Sequence, residues 1–219
     1  MDWELEVQQA LDSLPPDLRG AGPTVVVLHG GFWRARYRAP LMDPLCDALA
    51  ALGYASWNVE YRRVGAGGGY PETLEDVAAA CRAAPDPVLA LGHSAGGHLA
   101  LWAAAEGLVP AAVSLAGVCD LAGAARAGVG NGAVVDLMGG GPDELPDAYA
   151  HADPLQRLPF AAQVTLVHGT DDGTVPIGQS RTFAAAAGCS LVELPATGHM
   201  EVIDPTDRTW GRIAATLTA

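Results

Sequence analysis

Short, almost wholly apolar runs rich in β-branched residues recur along this chain, and stretches of helical spacing separate them. The runs fall at Thr24–Leu28, Ala55–Val59, Val88–Leu91, Ala112–Leu115, Val164–Val167 and Leu191–Leu194. A strand with one wet face alternates apolar and polar residues, whereas a strand covered on both faces stays apolar throughout. Parallel strands also need long crossovers, and helices supply them. Helical patterns lie near Pro44–Leu52, Leu74–Ala83, Gly97–Ala105, Ile177–Ala187 and Thr206–Leu217. Thr73, with Asp76 three residues on, predicts a cap at the start of the second of these. The expected class is α/β, a mostly parallel central sheet flanked by helices. With 219 residues, no internal repeat and no linker, one domain over residues 1–219 is expected.

Two segments break the alternation. Gly65–Tyr70 is glycine-rich but lacks the lysine and spacing of a phosphate loop, so it reads as a surface connection. Arg126–Pro159 is long, holds Gly139-Gly140-Gly141-Pro142 and interrupts the sheet before Val164. Residues 126–159 are expected to form a small cap over a site or a solvated excursion.

Composition narrows the partners. A net charge of −13 and a pI of about 4.6 argue against nucleic acid, which requires a basic face, and against an anionic membrane surface. Val88 to Ala105 is apolar enough to suggest a membrane span. Gly92, His93, Ser94, Gly96, Gly97 and His98 within it favour a strand followed by a helix. The acidic start, Met1 to Glu6, does not resemble a signal peptide. Four cysteines without CxxC spacing then read as reduced thiols in a cytoplasmic protein.

The chemistry centres on Gly92-His93-Ser94-Ala95-Gly96, between a strand and a helix. A serine on such a turn holds its hydroxyl clear of the backbone, and small neighbours let the turn close. The helix start behind it offers N–H groups to a developing oxyanion. A hydroxyl still needs a base, and the base an acid to orient it. His199 follows the last strand, in Thr197-Gly198-His199, and is the expected base. For the acid, Asp171 and Asp172 follow the preceding strand, and Asp120 follows an earlier one. These positions lie beyond the carboxyl ends of strands, where open parallel sheets place their sites.

His29-Gly30-Gly31-Phe32-Trp33, Gly92 to His98, His168 to Pro176 and Gly198-His199, in this order, resemble the α/β-hydrolase family over roughly Pro23 to Leu217. Within it they are similar to small esterases and to kynurenine formamidase-like or S9-peptidase-like hydrolases, and no β-propeller precedes the motifs, which argues against an oligopeptidase. The resemblance implies an α/β-hydrolase fold with a small cap or none. His168 to Pro176 fits H-G-x-x-D-x-x-V-P, which implies Asp172 as the acid. It further implies an oxyanion hole of the Gly31, Phe32 and Ala95 N–H groups. Phe32 stands where the family's commoner H-G-G-G form has glycine. The family's antiparallel N-terminal hairpin is not evident, and Trp3–Leu11 is expected to be a helix.

The expected activity is hydrolysis of a small carboxylic ester by Ser94, His199 and Asp172 through an acyl-enzyme, without a cofactor. An amidase, either arylformamidase or exopeptidase, and a non-catalytic binding protein of the same fold are the alternatives. Trp33, beside the oxyanion loop, is the expected wall of the substrate pocket. Arg34, Arg36 and Arg38 read as a solvated loop or as a partner for a substrate carboxylate. His29, His93, His98 and His168 are expected to brace loops, and no ligand spacing suggests a metal.

Overall fold

The structure, a computed structural model, describes residues 17–217, so the helix expected at Trp3–Leu11 lies outside the described residues. Seven strands among them form one sheet: β1 (Arg19–Gly20), β2 (Thr24–Leu28), β3 (Ala55–Val59), β4 (Pro87–His93), β5 (Ala111–Leu115), β6 (Gln163–Gly169) and β7 (Ser190–Leu194). Their order is β1-β3-β2-β4-β5-β6-β7. Every neighbouring pair is parallel except β1 with β3, where Arg19 faces Ser56. Strands β2 to β7 are the six expected from the apolar runs. The antiparallel edge β1 carries no apolar signal, because two residues are too few to form a pattern.

The helices are α1 (Asp43–Ala51), α2 (Glu72–Ala83), α3 (Ala95–Ala105), α4 (Leu121–Arg126), α5 (Ala133–Met138), α6 (Pro146–Ala152), α7 (Gly178–Ala187) and α8 (Trp210–Ala215). They cover both faces of the sheet, and successive strand residues point to opposite cores. Val26, Leu28, Ala90, Ala112 and Leu166 face a core shared with α2, α3 and α7. Val25, Val27, Leu91, Val113 and Val167 face a second core, closed by Leu45 and Leu49 of α1 and Ile213 of α8. The apolar stretch from Val88 is β4 running into α3, and no helix among the described residues is long and apolar enough to cross a membrane.

Residues 126–159 carry α5 and α6, with an exposed outer side and an inner side packed on the domain. Val134, Leu137, Met138, Tyr149 and Ala152 are buried in the core of the α3 face. The Gly65–Tyr70 connection is drawn against the same segment, where the Tyr70 N–H donates to the Leu137 carbonyl at 2.7 Å. Helix α8 starts later than expected at Thr206, because Asp204 and Asp207 accept bonds from the N–H groups of Thr206 and Thr209, both at 2.8 Å. Such side-chain turns compete with the helix.

The expected Thr73–Asp76 cap is absent. Helix α2 begins at Glu72, and its first turn packs against the chain that leaves β3. The Thr73 hydroxyl donates to the Arg62 carbonyl at 2.7 Å. Asp76 accepts from the Arg62 N–H at 2.8 Å and from its guanidinium at 2.7 Å. The two residues therefore pin the chain beyond β3, which in turn supports the loop after β2. Since Asp76 is buried, Asp76→Ala leaves the Arg62 N–H without its acceptor and leaves the Arg62 guanidinium only the more distant Glu75, at 3.9 Å. Urea unfolding should show a loss of about 2 kcal/mol with m unchanged.

Candidate active site

The turn from β4 into α3 requires two glycines. A Cβ on Gly92 would lie 1.9 Å from the Gly96 carbonyl oxygen, and one on Gly96 would lie 2.0 Å from that of Leu28. This approach lets the chain reverse within two residues and leaves Ser94 at φ 55°, ψ −116°. Left-handed backbone at a serine is strained, so neighbouring contacts must hold it. The Ser94 N–H donates to the Leu115 carbonyl at 2.9 Å, and the Ser94 carbonyl accepts from the His98 N–H at 3.2 Å. The Ala95 N–H lies at the start of α3, where the helix presents free donors.

His199 and Asp172 meet beyond β7 and β6. The His199 Nδ1–H donates to Asp172 Oδ2 at 2.7 Å. The carboxylate is fully buried and His199 is nearly so. Asp172 Oδ1 accepts from the N–H groups of Thr174 and Val175 at 2.8 and 2.9 Å. Burial pushes this carboxyl up, but hydrogen bonds from His168 and His199 and the charge on His199 outweigh it, so it stays well below the usual carboxylate range. With Nδ1 bonded to Asp172, the lone pair of a neutral His199 is on Nε2.

The serine turn and the histidine loop are joined through His93. Its Nε2–H donates to the His199 carbonyl at 2.9 Å, and the two rings lie 4.6 Å apart. Burial, with the charge of His199 next, pulls the His93 imidazole down to about 3, so it acts as a neutral strut. Asp171 and Asp120 are engaged elsewhere. Asp171 is exposed and accepts from the Thr170 hydroxyl at 2.8 Å, whereas Asp120 caps α4 through the Gly123 N–H at 2.7 Å.

The loop after β2 closes over the turn. Gly30 abuts the elbow, since a Cβ there would lie 2.8 Å from His93 Nδ1 and 3.1 Å from Ser94 Cβ. Gly31, Phe32 and Trp33 follow at φ 118°, 59° and 55°. The tight bend excludes a side chain from Gly31, where a Cβ would lie 2.2 Å from Tyr37 Cβ. His29 anchors the loop's start with one ring nitrogen 2.7 Å from the Gly30 carbonyl and the other 3.0 Å from Glu60. Its ring stacks on Tyr61 at 4.3 Å.

Trp33 is not the expected pocket wall. It is 1% exposed and packs edge-on against His98 in the core. Phe32 stays partly exposed and rests on the 126–159 segment, where a Cβ on Gly130 would meet its ring at 2.4 Å. Arg34 ties the same two segments through Asp136 at 2.7 Å. Arg36 is exposed over the Tyr37 ring, and Arg38 lies 3.6 Å from Glu60. Sequence reasoning did not single out Glu60, Tyr61, Asp136 or Ser180, which carry no motif and gain their roles through tertiary contact. Among the described residues, no group of three His, Cys, Asp or Glu side chains is arranged to hold a metal ion.

Comparison with known proteins adds lineage. A BD-FAE family model matches residues 12–186. Esterase LipQ of Mycobacterium tuberculosis is 27% identical over 84% of this chain and 52% of its own, so the chain spans about half the length of that relative. Among solved structures, an acetyl ester-xyloside bifunctional hydrolase from Caldicellulosiruptor lactoaceticus superposes with a TM-score of 0.74 at 22% identity, covering 90% of this chain and 81% of its own. Thermogutta terrifontis esterase 2, phosphoramylated by tabun, gives 0.71 at 21% identity, covering 91% and 82%. These likenesses show the fold, which is the α/β-hydrolase fold.

The geometry separates the two neighbouring aspartates. Asp172→Asn should lower turnover of a p-nitrophenyl ester by about 10^3- to 10^4-fold, because an amide in place of the carboxylate disfavours the useful tautomer of His199. Asp171→Asn should stay within about threefold of wild type. Parallel steady-state kinetics compare them. Acid unfolding adds a second check. The ionised Asp172 contributes stability that is present above the ordinary carboxylate pKa of about 3.9 and lost as pH falls through its depressed value. The Asn variant should lose less stability over that interval.

Proposed function

The chain belongs to the BD-FAE family, and on that premise we propose that it is a serine hydrolase of small carboxylic esters. One observation carries the reading: Ser94, on a strained turn, is linked through His93 to a histidine held by a buried carboxylate. That linkage gathers backbone strain and a buried charge at the carboxyl ends of the strands, where perturbed groups mark a functional site. The esterase names of the relatives support the same conclusion.

In this mechanism His199 Nε2 takes the proton of Ser94 as the hydroxyl attacks the ester carbonyl. The tetrahedral oxyanion receives the N–H groups of Ala95, Gly31 and Phe32. Asp172 holds the imidazolium that forms, and His199 passes its proton to the leaving alkoxide. Water, deprotonated by His199, then releases the acid from Ser94. Residues 126–159 act as a small cap and close the acyl side together with Phe32, which favours short acyl groups. The four cysteines form no disulfide, and burial raises the thiols of Cys81 and Cys119 to about 12.

Specificity across acetyl to palmitoyl p-nitrophenyl esters tests the reading. Each methylene that fits should add about 0.8 kcal/mol, so kcat/KM should climb briefly and then collapse at the wall. A steady rise past about eight carbons would remove the short pocket. Ser94→Ala should lower turnover by about 10^4-fold or more with the fold intact, and near-normal turnover would remove the nucleophile.

A further inference from the structure

One buried titratable group near the site is not used in the mechanism above. His168 ends β6 with no exposed surface, four residues before Asp172. Its Nε2 lies 3.2 Å from Asp172 Oδ2, the oxygen that His199 also contacts, and 3.0 Å from the Val175 carbonyl. Both neighbours can only accept, so Nε2 must carry the proton. On the other side of the ring, Nδ1 lies 2.7 Å from the hydroxyl of Ser180, a fully buried residue of α7. In the tautomer with its N–H on Nε2, Nδ1 accepts from the Ser180 hydroxyl.

We infer that His168, with its tautomer set by Ser180, is a positioning residue that holds the Asp172 carboxylate and moderates its pull on His199. This rests on the reading of Asp172 and His199 as acid and base. The backbone donors of Thr174 and Val175 fix Oδ1. Only the two histidines reach Oδ2 among the side chains described above, so His168 sets how the carboxylate plane meets His199. It also shares the carboxylate's charge, and without it more of that charge falls on His199. Other charged or titratable groups nearby act weakly or are bound elsewhere. Glu193, opposite His168 on β7, pairs with Arg181 at 2.8 Å on the surface. The Cys119 thiol lies 3.9 Å from Ser180 and is pushed up to about 12 by burial. His93 packs on His199 and is pulled down to about 3 chiefly by burial, with His168 among the lesser causes.

The test compares His168→Leu, His168→Gln, Ser180→Ala and Ser94→Ala on p-nitrophenyl acetate across pH. His168→Leu should lower kcat about tenfold at unchanged KM, since a hydrogen bond to a charged group is lost. It should also move the acid limb of kcat/KM upward by about half a pH unit, because a less neutralised Asp172 favours the imidazolium. His168→Gln retains an N–H donor and should recover most of kcat. Ser180→Ala should cost about threefold and shift the downfield proton resonance of the His199–Asp172 bond. A folded His168→Leu with wild-type kcat and an unmoved limb overturns the inference, as does a Gln variant no better than Leu. If the Leu variant does not fold, an unchanged resonance and kcat in Ser180→Ala overturns it. Ser94→Ala separates the two claims: if it stays active, the serine-hydrolase reading fails, whatever His168 does.

Discussion

The close approach of Gly92 to Gly96, and of Gly96 to the end of β2, is the constraint on which the remaining architecture depends. It allows a central strand to pass into a buried helix without a connecting loop. A larger residue at either position would push α3 off the sheet, and α3 is buried along nearly its whole length. The same approach forces Ser94 into left-handed backbone. The packing that forms the core and the strained turn that carries Ser94, itself only 3% exposed, are thus one feature.

Electrostatics adds a second demand. A carboxylate with no exposed surface is costly unless its lone pairs are filled. Asp172 meets this with two backbone donors and two imidazoles. His199 is one of those donors, so the group proposed to move protons is also part of what keeps the acid charged. His93 ties the same loop to the serine turn, which couples three chain segments through short contacts. Around them, Arg34 and Phe32 attach the loop after β2 to residues 126–159.

Much of this was legible in the sequence. Buried strands show themselves by apolar runs, as in β2, and β3 also falls at the expected residues although Ser56 and Asn58 interrupt its apolar residues. The glycine-flanked serine and the histidine after the last strand stand where the sequence puts them, beyond β4 and β7. Asp172 could be told from Asp171 only through a family motif, since both follow the same strand and burial decides between them. Trp33 differs from expectation because its neighbours suggest a pocket, whereas its ring packs in the core against His98, a contact that sequence does not show. The Thr73–Asp76 pair was misread because a capping pattern and a tertiary clamp on Arg62 look alike in one dimension. Ser180 and Glu60 carry no local signal at all.

The central claim is that Ser94 is an activated nucleophile, and covalent trapping tests it most directly. A fluorophosphonate should label the protein once, with the adduct on the peptide that contains Ser94. Labelling should slow by orders of magnitude in His199→Gln, because an unassisted hydroxyl is a poor nucleophile near neutral pH. No labelling of the folded protein, an adduct on another residue, or a rate indifferent to His199 would contradict the account.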